Sequence, residues 1–170
     1  MSNKRGFTLI ETMVVVGIII TLLAWGVPAF STWKKKHDIE SQIYSLYGNL
    51  QLARMTAYSR KTVSGVWWTG GATVNSYQVR IDGNNDGDVN DALGTDVQAG
   101  AMITPIPPIT ASAAQTSVSF DGRGFLNPNN AIVFSIPSNT GAAVDCVWVT
   151  STRITTGRMN GANCEPEGRK

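Results

Sequence analysis

Residues 7–30, FTLIETMVVVGIIITLLAWGVPAF, form an apolar run of 24 residues with Glu11 as its one charge. As a helix rising 1.5 Å per residue it spans roughly 36 Å, enough to cross a hydrocarbon layer of about 30 Å. The competing reading is a secretory signal cut after a small residue, with Ala29 in Val27-Pro28-Ala29-Phe30 as a weak site. The run is long for a signal core of about 7–15 residues, so a membrane anchor fits better. Lys4 and Arg5 precede the span and Lys34, Lys35 and Lys36 follow it, so the basic flanks do not orient it.

The whole chain has 170 residues, one domain with an appendage. Hydrophobic residues are 42% and charged residues 15%, too apolar and too weakly charged for disorder. The net charge of +2 argues against a strongly basic nucleic-acid protein. No phosphate-cradling G-x-x-x-x-G-K-[ST], no H-E-x-x-H and no G-x-S-x-G occurs. The one histidine, His37, lies beside the apolar run with no evident nucleophile to serve. Independent catalysis is therefore not expected, and the chain reads as a non-enzyme.

Beyond the anchor, Ile39, Ile43, Leu46, Leu50, Ala53 and Ala57 recur at steps of four and three. That is one apolar stripe of an amphipathic helix, and it needs a sheet to cover it. A helix from Phe7 to about Arg60 is expected, about 80 Å long, with a kink at Pro28. Short β-rich runs follow at 62–69, 76–81, 101–106, 117–120, 131–136, 144–150 and 153–159, bounded by Gly, Pro, Asn and Asp. Residues 105–108, Pro-Ile-Pro-Pro, mark an edge or connector, and 111–116 reads as a loop. Trp67, Trp68, Phe120, Phe134 and Trp148 are the expected core fillers.

The start of the chain, Lys4-Arg5-Gly6-Phe7-Thr8-Leu9-Ile10-Glu11, resembles a class III prepilin signal: a basic leader, a glycine, then an apolar helix with a carboxylate. Such signals mark type IV pilins and type II secretion pseudopilins. The segment Val118-Ser119-Phe120-Asp121-Gly122-Arg123-Gly124-Phe125 resembles the F-x-x-x-G turn of the GspH/FimT/FimU group of minor subunits. Cys146-Val147-Trp148-Val149 and Thr155-Thr156-Gly157-Arg158-Met159 are similar to its paired final strands.

The resemblance implies an α+β fold, a pilin-like lollipop whose long, partly transmembrane helix packs on an antiparallel β-sheet globular domain. It divides the chain into a leader peptide (1–6), a transmembrane and filament-core helix (7–30), its amphipathic continuation (31–61) and a β-rich periplasmic or extracellular domain (62–170). It implies that prepilin peptidase cuts between Gly6 and Phe7 and that the new amino terminus is N-methylated. The mature chain would then lose Lys4 and Arg5 and carry 12 basic residues (14 − 2) against 12 acidic ones.

A lone carboxylate in a membrane helix is costly unless it is paired or near an interface. Pairing with a positive amino terminus, its own or a neighbour's, would let Glu11 set the register of subunits in a filament. The implied partners are other major and minor pilins or pseudopilins, prepilin peptidase, the inner-membrane assembly platform and, before assembly, membrane lipid. The implied location is the bacterial inner membrane, single-pass with a periplasmic globular domain, and then the filament. The expected role is a subunit at or near the filament tip that helps initiate assembly.

One branch of the group binds DNA through a C-terminal Gly-Arg-x-Arg turn. Here Gly157-Arg158-Met159-Asn160 has Asn at the second Arg, leaving Arg153, Arg158, Arg169 and Lys170 as an alternative DNA-contacting tip. Residues 82–91, DGNNDGDVND, resemble the start of a calcium loop, with Asp82, Asn84, Asp86 and Asp91 as candidate side-chain ligands and Asp88 as a candidate carbonyl ligand. The twelfth position is Leu93, and no helix enters the loop. Tight turns made by Asn, Asp and Gly are the simpler reading, with no cofactor required. In an oxidising compartment Cys146 and Cys164 are expected to form a disulfide that pins 160–163 to the sheet, with two buried thiols as the alternative.

Overall fold

A computed structural model describes residues 6–90, 95–113, 115–127, 131–137 and 140–166. Two compact units divide the chain, Met1–Lys35 and Lys36–Lys170. Helix α1, Leu9–Arg60, begins in the first and ends in the second.

In the first unit, Thr8 caps the helix. Its hydroxyl accepts the Glu11 N–H at 3.4 Å, and its carbonyl accepts the Thr12 N–H at 3.2 Å. Thr8-Leu9-Ile10-Glu11 thus has the T-x-x-E spacing of a capping box, a local signal that the apolar run overshadows in the sequence. From Leu9 to Leu23 the large apolar side chains are exposed, and no described residue in the most apolar window of the helix is buried. The helix assignment runs through position 28, but the Pro28 side chain and the kink expected there lie outside the described residues.

In the second unit the six stripe residues Ile39, Ile43, Leu46, Leu50, Ala53 and Ala57 are all buried. Two antiparallel sheets cover them, rather than the single sheet expected. One contains β1 (Ser64–Thr69), β3 (Ser76–Ile81), β4 (Val97–Gln98), β6 (Ser117–Phe120) and β7 (Leu126–Asn127), in the order β4-β3-β1-β6-β7. The other contains β2 (Thr73–Val74), β5 (Ile109–Ala111), β8 (Ile132–Ser135), β9 (Cys146–Val149), β10 (Ile154–Asn160) and β11 (Asn163–Pro166), in the order β11-β10-β9-β8-β5-β2. One core joins the helix stripe to both inner faces, with the Trp68 ring edge-on to Phe134 at 5.2 Å.

Several expectations need correction. Residues 101–106 form no strand; only Ile103 bridges to Tyr77. Prolines 105, 107 and 108 remove three backbone donors just there. The start of the supposed loop at 111–116 belongs to β5, and 163–166 pair as β11. Trp67 and Trp148 are not core fillers. Trp148 is 36% exposed on the outer face of β9, because its neighbours Val147 and Val149 point inward. Trp67 lies on the outer face of β1, where the guanidinium carbon of Arg80 stacks 3.7 Å from its ring centroid. The loop after β3 folds over this face and buries Val89, and the Asn90 Oδ1 accepts hydrogen bonds from Trp67 Nε1 and Thr116 Oγ1. Burial pulls Arg80 below its ordinary pKa, and the Asp96 carboxylate opposes that shift.

Candidate functional site

The residues expected to carry function fall into four places. At the start of the chain, Gly6 and Phe7 precede the helix in an exposed segment, with Phe7 79% exposed. Glu11 is exposed in the first helical turn, where the partial positive charge of the helix N-terminus favours a carboxylate.

The second place is the final hairpin. Cys146 and Cys164 form a disulfide with Cα atoms 6.0 Å apart. The bridge joins β9 to β11, two strands that β10 separates. Gly157 of β10 pairs with Cys146 on one side and Pro166 on the other. A side chain at 157 would collide with the Glu165 carbonyl, so only glycine lets β11 approach this closely. Next to the bridge is an open cleft of about 540 Å³ lined by Val133, Trp148 and residues 163–166.

Arg153 and Arg158 are both exposed on this hairpin but do not converge. Five residues of strand separate them by roughly 17 Å. Arg158 stands opposite Glu165 in the ladder, and the Glu165 carboxylate accepts the Asn160 side-chain amide at 2.7 Å. Arg169 and Lys170 lie outside the described residues.

The third place is the Asp/Asn loop. The Asp82 carboxylate accepts N–H groups from Asn85 and Gly87 at 2.6 and 2.9 Å. Asp86 accepts the Asp88 N–H at 3.0 Å and the Asn84 side-chain amide at 2.9 Å, and Asp88 accepts the Asn90 N–H. The Asp86 and Asp88 carboxylates each accept the N–H two residues on, as in Asx turns, and with Asp82 they close the loop with its own oxygens. Among the described residues, no three His, Cys, Asp or Glu side chains form a metal-ligating group. Asp91 lies outside the described residues.

The fourth place is the F-x-x-x-G turn, which sequence reasoning used only as a resemblance. Phe120 is buried, and Asp121 organises the turn that comes after it. The Asp121 carboxylate accepts the N–H groups of Arg123 and Phe125, both at 2.9 Å, and pairs with the Arg123 guanidinium at 2.9 Å. Desolvation raises the Asp121 pKa, but those backbone and guanidinium partners outweigh it and hold the group below its ordinary value. Gly124 turns the chain at φ +82°, and the turn faces helix α1 across a groove of about 430 Å³.

Residues 42–152 match the family described as "Type II transport protein GspH". That is 111 of 170 residues (152 − 42 + 1). The chain belongs to the GspH family. Residues 1–27 of this GspH-family chain also match the prokaryotic N-terminal methylation motif. A stretch of 36 residues is 56% identical to "Prepilin peptidase-dependent protein D" of Escherichia coli K12, a match spanning 21% of this chain and 25% of that protein. The type IV minor pilin FimU of Pseudomonas aeruginosa PAO1 shares the fold. Its P21 crystal structure superposes with TM-score 0.55 at 16% identity, covering 74% of this chain and 92% of FimU. Its P65 form gives 0.53 at 15% identity, covering 70% and 92%. The chain is thus a minor pilin or pseudopilin by family, with an α+β pilin fold.

Proposed function

We propose that this GspH-family chain is a structural, non-catalytic subunit at or near the tip of a type IV pilus or type II secretion pseudopilus, where it helps initiate assembly. The observation that carries the reading is the apolar window of α1, in which no described residue is buried. Lipid or the helices of other subunits must cover such a surface, because about twenty apolar residues are not stable in water. The second unit already contains a core and needs no help from that window.

In this reading, prepilin peptidase cuts between Gly6 and Phe7 and the Phe7 amine is methylated. The helix then waits in the inner membrane with the β-rich unit in the periplasm. An assembly platform extracts it into the filament, where major and minor pilins or pseudopilins replace lipid. Glu11 caps its own helix dipole and, on assembly, faces a neighbour's amino terminus. Burial of such a pair specifies register more than it stabilises. The test is Glu11→Ala followed through membrane and sheared-filament fractions. The variant should remain membrane-inserted and be depleted from filaments. Undiminished incorporation would remove Glu11 from the mechanism.

A further inference from the structure

In the second unit, the face of α1 turned away from the core is unusually poor in charge. From Ser41 to Ser59 the sequence has one charged residue, Arg54. A solvated helix face normally carries several. Toward the end of the helix this face becomes one wall of the groove opposite the Asp121 turn, lined by Gln51, Arg54, Met55, Tyr58, Arg123 and Gly124 among others. Gln51, Met55 and Tyr58 follow one another at steps of four and three, so they share one helical face. Met55 and Tyr58 are 68% and 60% exposed. Arg54 packs against Gly124, and Lys61 Nζ lies 3.8 Å over the Tyr58 ring.

The Arg54 guanidinium and an exposed Met–Tyr pair, with Lys61 over the Tyr58 ring, therefore give the groove its positive charge; Arg123 also lines it but is neutralised by Asp121, and among the described residues no carboxylate lines it. The nearby Asp121 carboxylate is committed to N–H groups of its own turn and to Arg123. Met, Tyr and Arg are the residue types enriched at protein interfaces and their hot spots.

We propose that this groove docks an acidic segment of a neighbouring filament subunit, one that presents a carboxylate to Arg54, beside Lys61, and an apolar side chain to Met55 and Tyr58. The proposal rests on the filament reading and adds a contact surface on the β-rich unit, remote in sequence from Glu11.

The test places a photocrosslinking amino acid at Met55 and, in a separate chain, at Val14 in the apolar helix, both in the full-length protein in its native cells. Both positions should capture pilin-like subunits, and the peptide captured at Met55 should contain Asp or Glu. Arg54→Glu should lower the Met55 product about tenfold, while Arg54→Lys retains it and neither changes the Val14 product. Capture at Val14 with none at Met55 would overturn the groove proposal and leave the filament reading standing. Capture at neither position would overturn both. A Met55 product with nucleic acid, or with a peptide lacking acidic residues, would overturn the proposed partner.

Discussion

Removing the disulfide is a quantitative test of how the final hairpin is held. Cys146 and Cys164 are 18 residues apart and join two strands that do not pair with each other. In the chain-entropy treatment, closing a loop of that length stabilises the fold by about 3 kcal/mol. The second unit has 135 residues (170 − 36 + 1). At roughly 2.1 cal/mol/K per residue its unfolding entropy is about 0.28 kcal/mol/K, so the loss corresponds to about 10 °C in Tm. The perturbation is Cys146→Ala with Cys164→Ala in the detergent-solubilised full chain, compared with the oxidised parent by tryptophan fluorescence on heating. Trp148, which lines the cleft beside Cys164, provides a local signal. A Tm lowered by less than about 2 °C would refute the reasoning. So would loss of amide protection confined to 163–166 at unchanged Tm, because the bridge would then hold only a fraying strand.

The other predictions concern separate features. Leu50→Ala empties a fully buried site between helix and sheets and should cost about 2–5 kcal/mol in urea unfolding; a cost under about 1 kcal/mol would mean the stripe is not core. Gly157→Ala should displace β11 and lower Tm, whereas an unchanged melt would show that the strands can separate without cost. Asp121 has its pKa below the ordinary 3.8, so its stabilisation is present above that value and lost as pH falls below it. Asp121→Asn should therefore flatten the acid limb of the pH–stability curve, and an identical acid limb would contradict this. With Arg158 facing Glu165 and Arg153 distant, the chain should not retain single-stranded DNA at physiological salt. Salt-sensitive retention abolished by Arg153→Ala and Arg158→Ala would establish the DNA-binding alternative.

The helix was the most legible element. Its stripe from Ile39 to Ala57 follows a 3.6-residue period, and each of the six residues is buried as that period requires. Runs 76–81 and 117–120 match β3 and β6 to the residue, because β-branched and aromatic residues there sit between strong turn signals. Two-residue ladders such as Thr73–Val74 and Val97–Gln98 are too short for periodicity to register. Trp67 and Trp148 misled because size favours burial, while strand alternation decides the face. The Cys146–Cys164 pairing followed from compartment and separation. The close approach of β11 to Gly157 did not, since that depends on which strands flank β10. The groove beside Met55 was invisible for the same reason: Arg54 and Arg123 are 69 residues apart (123 − 54) and meet only through tertiary packing.

The central claim is that this chain is processed at Gly6–Phe7 and works inside a filament. Mass spectrometry of the N-terminal peptide, taken from the protein purified out of crosslinked native cells, tests both parts together. The account predicts an N-methylated Phe7 at the terminus and other pilin-like subunits crosslinked to the chain. An intact Met1, or a terminus near Ala29 with no such subunits attached, would contradict it.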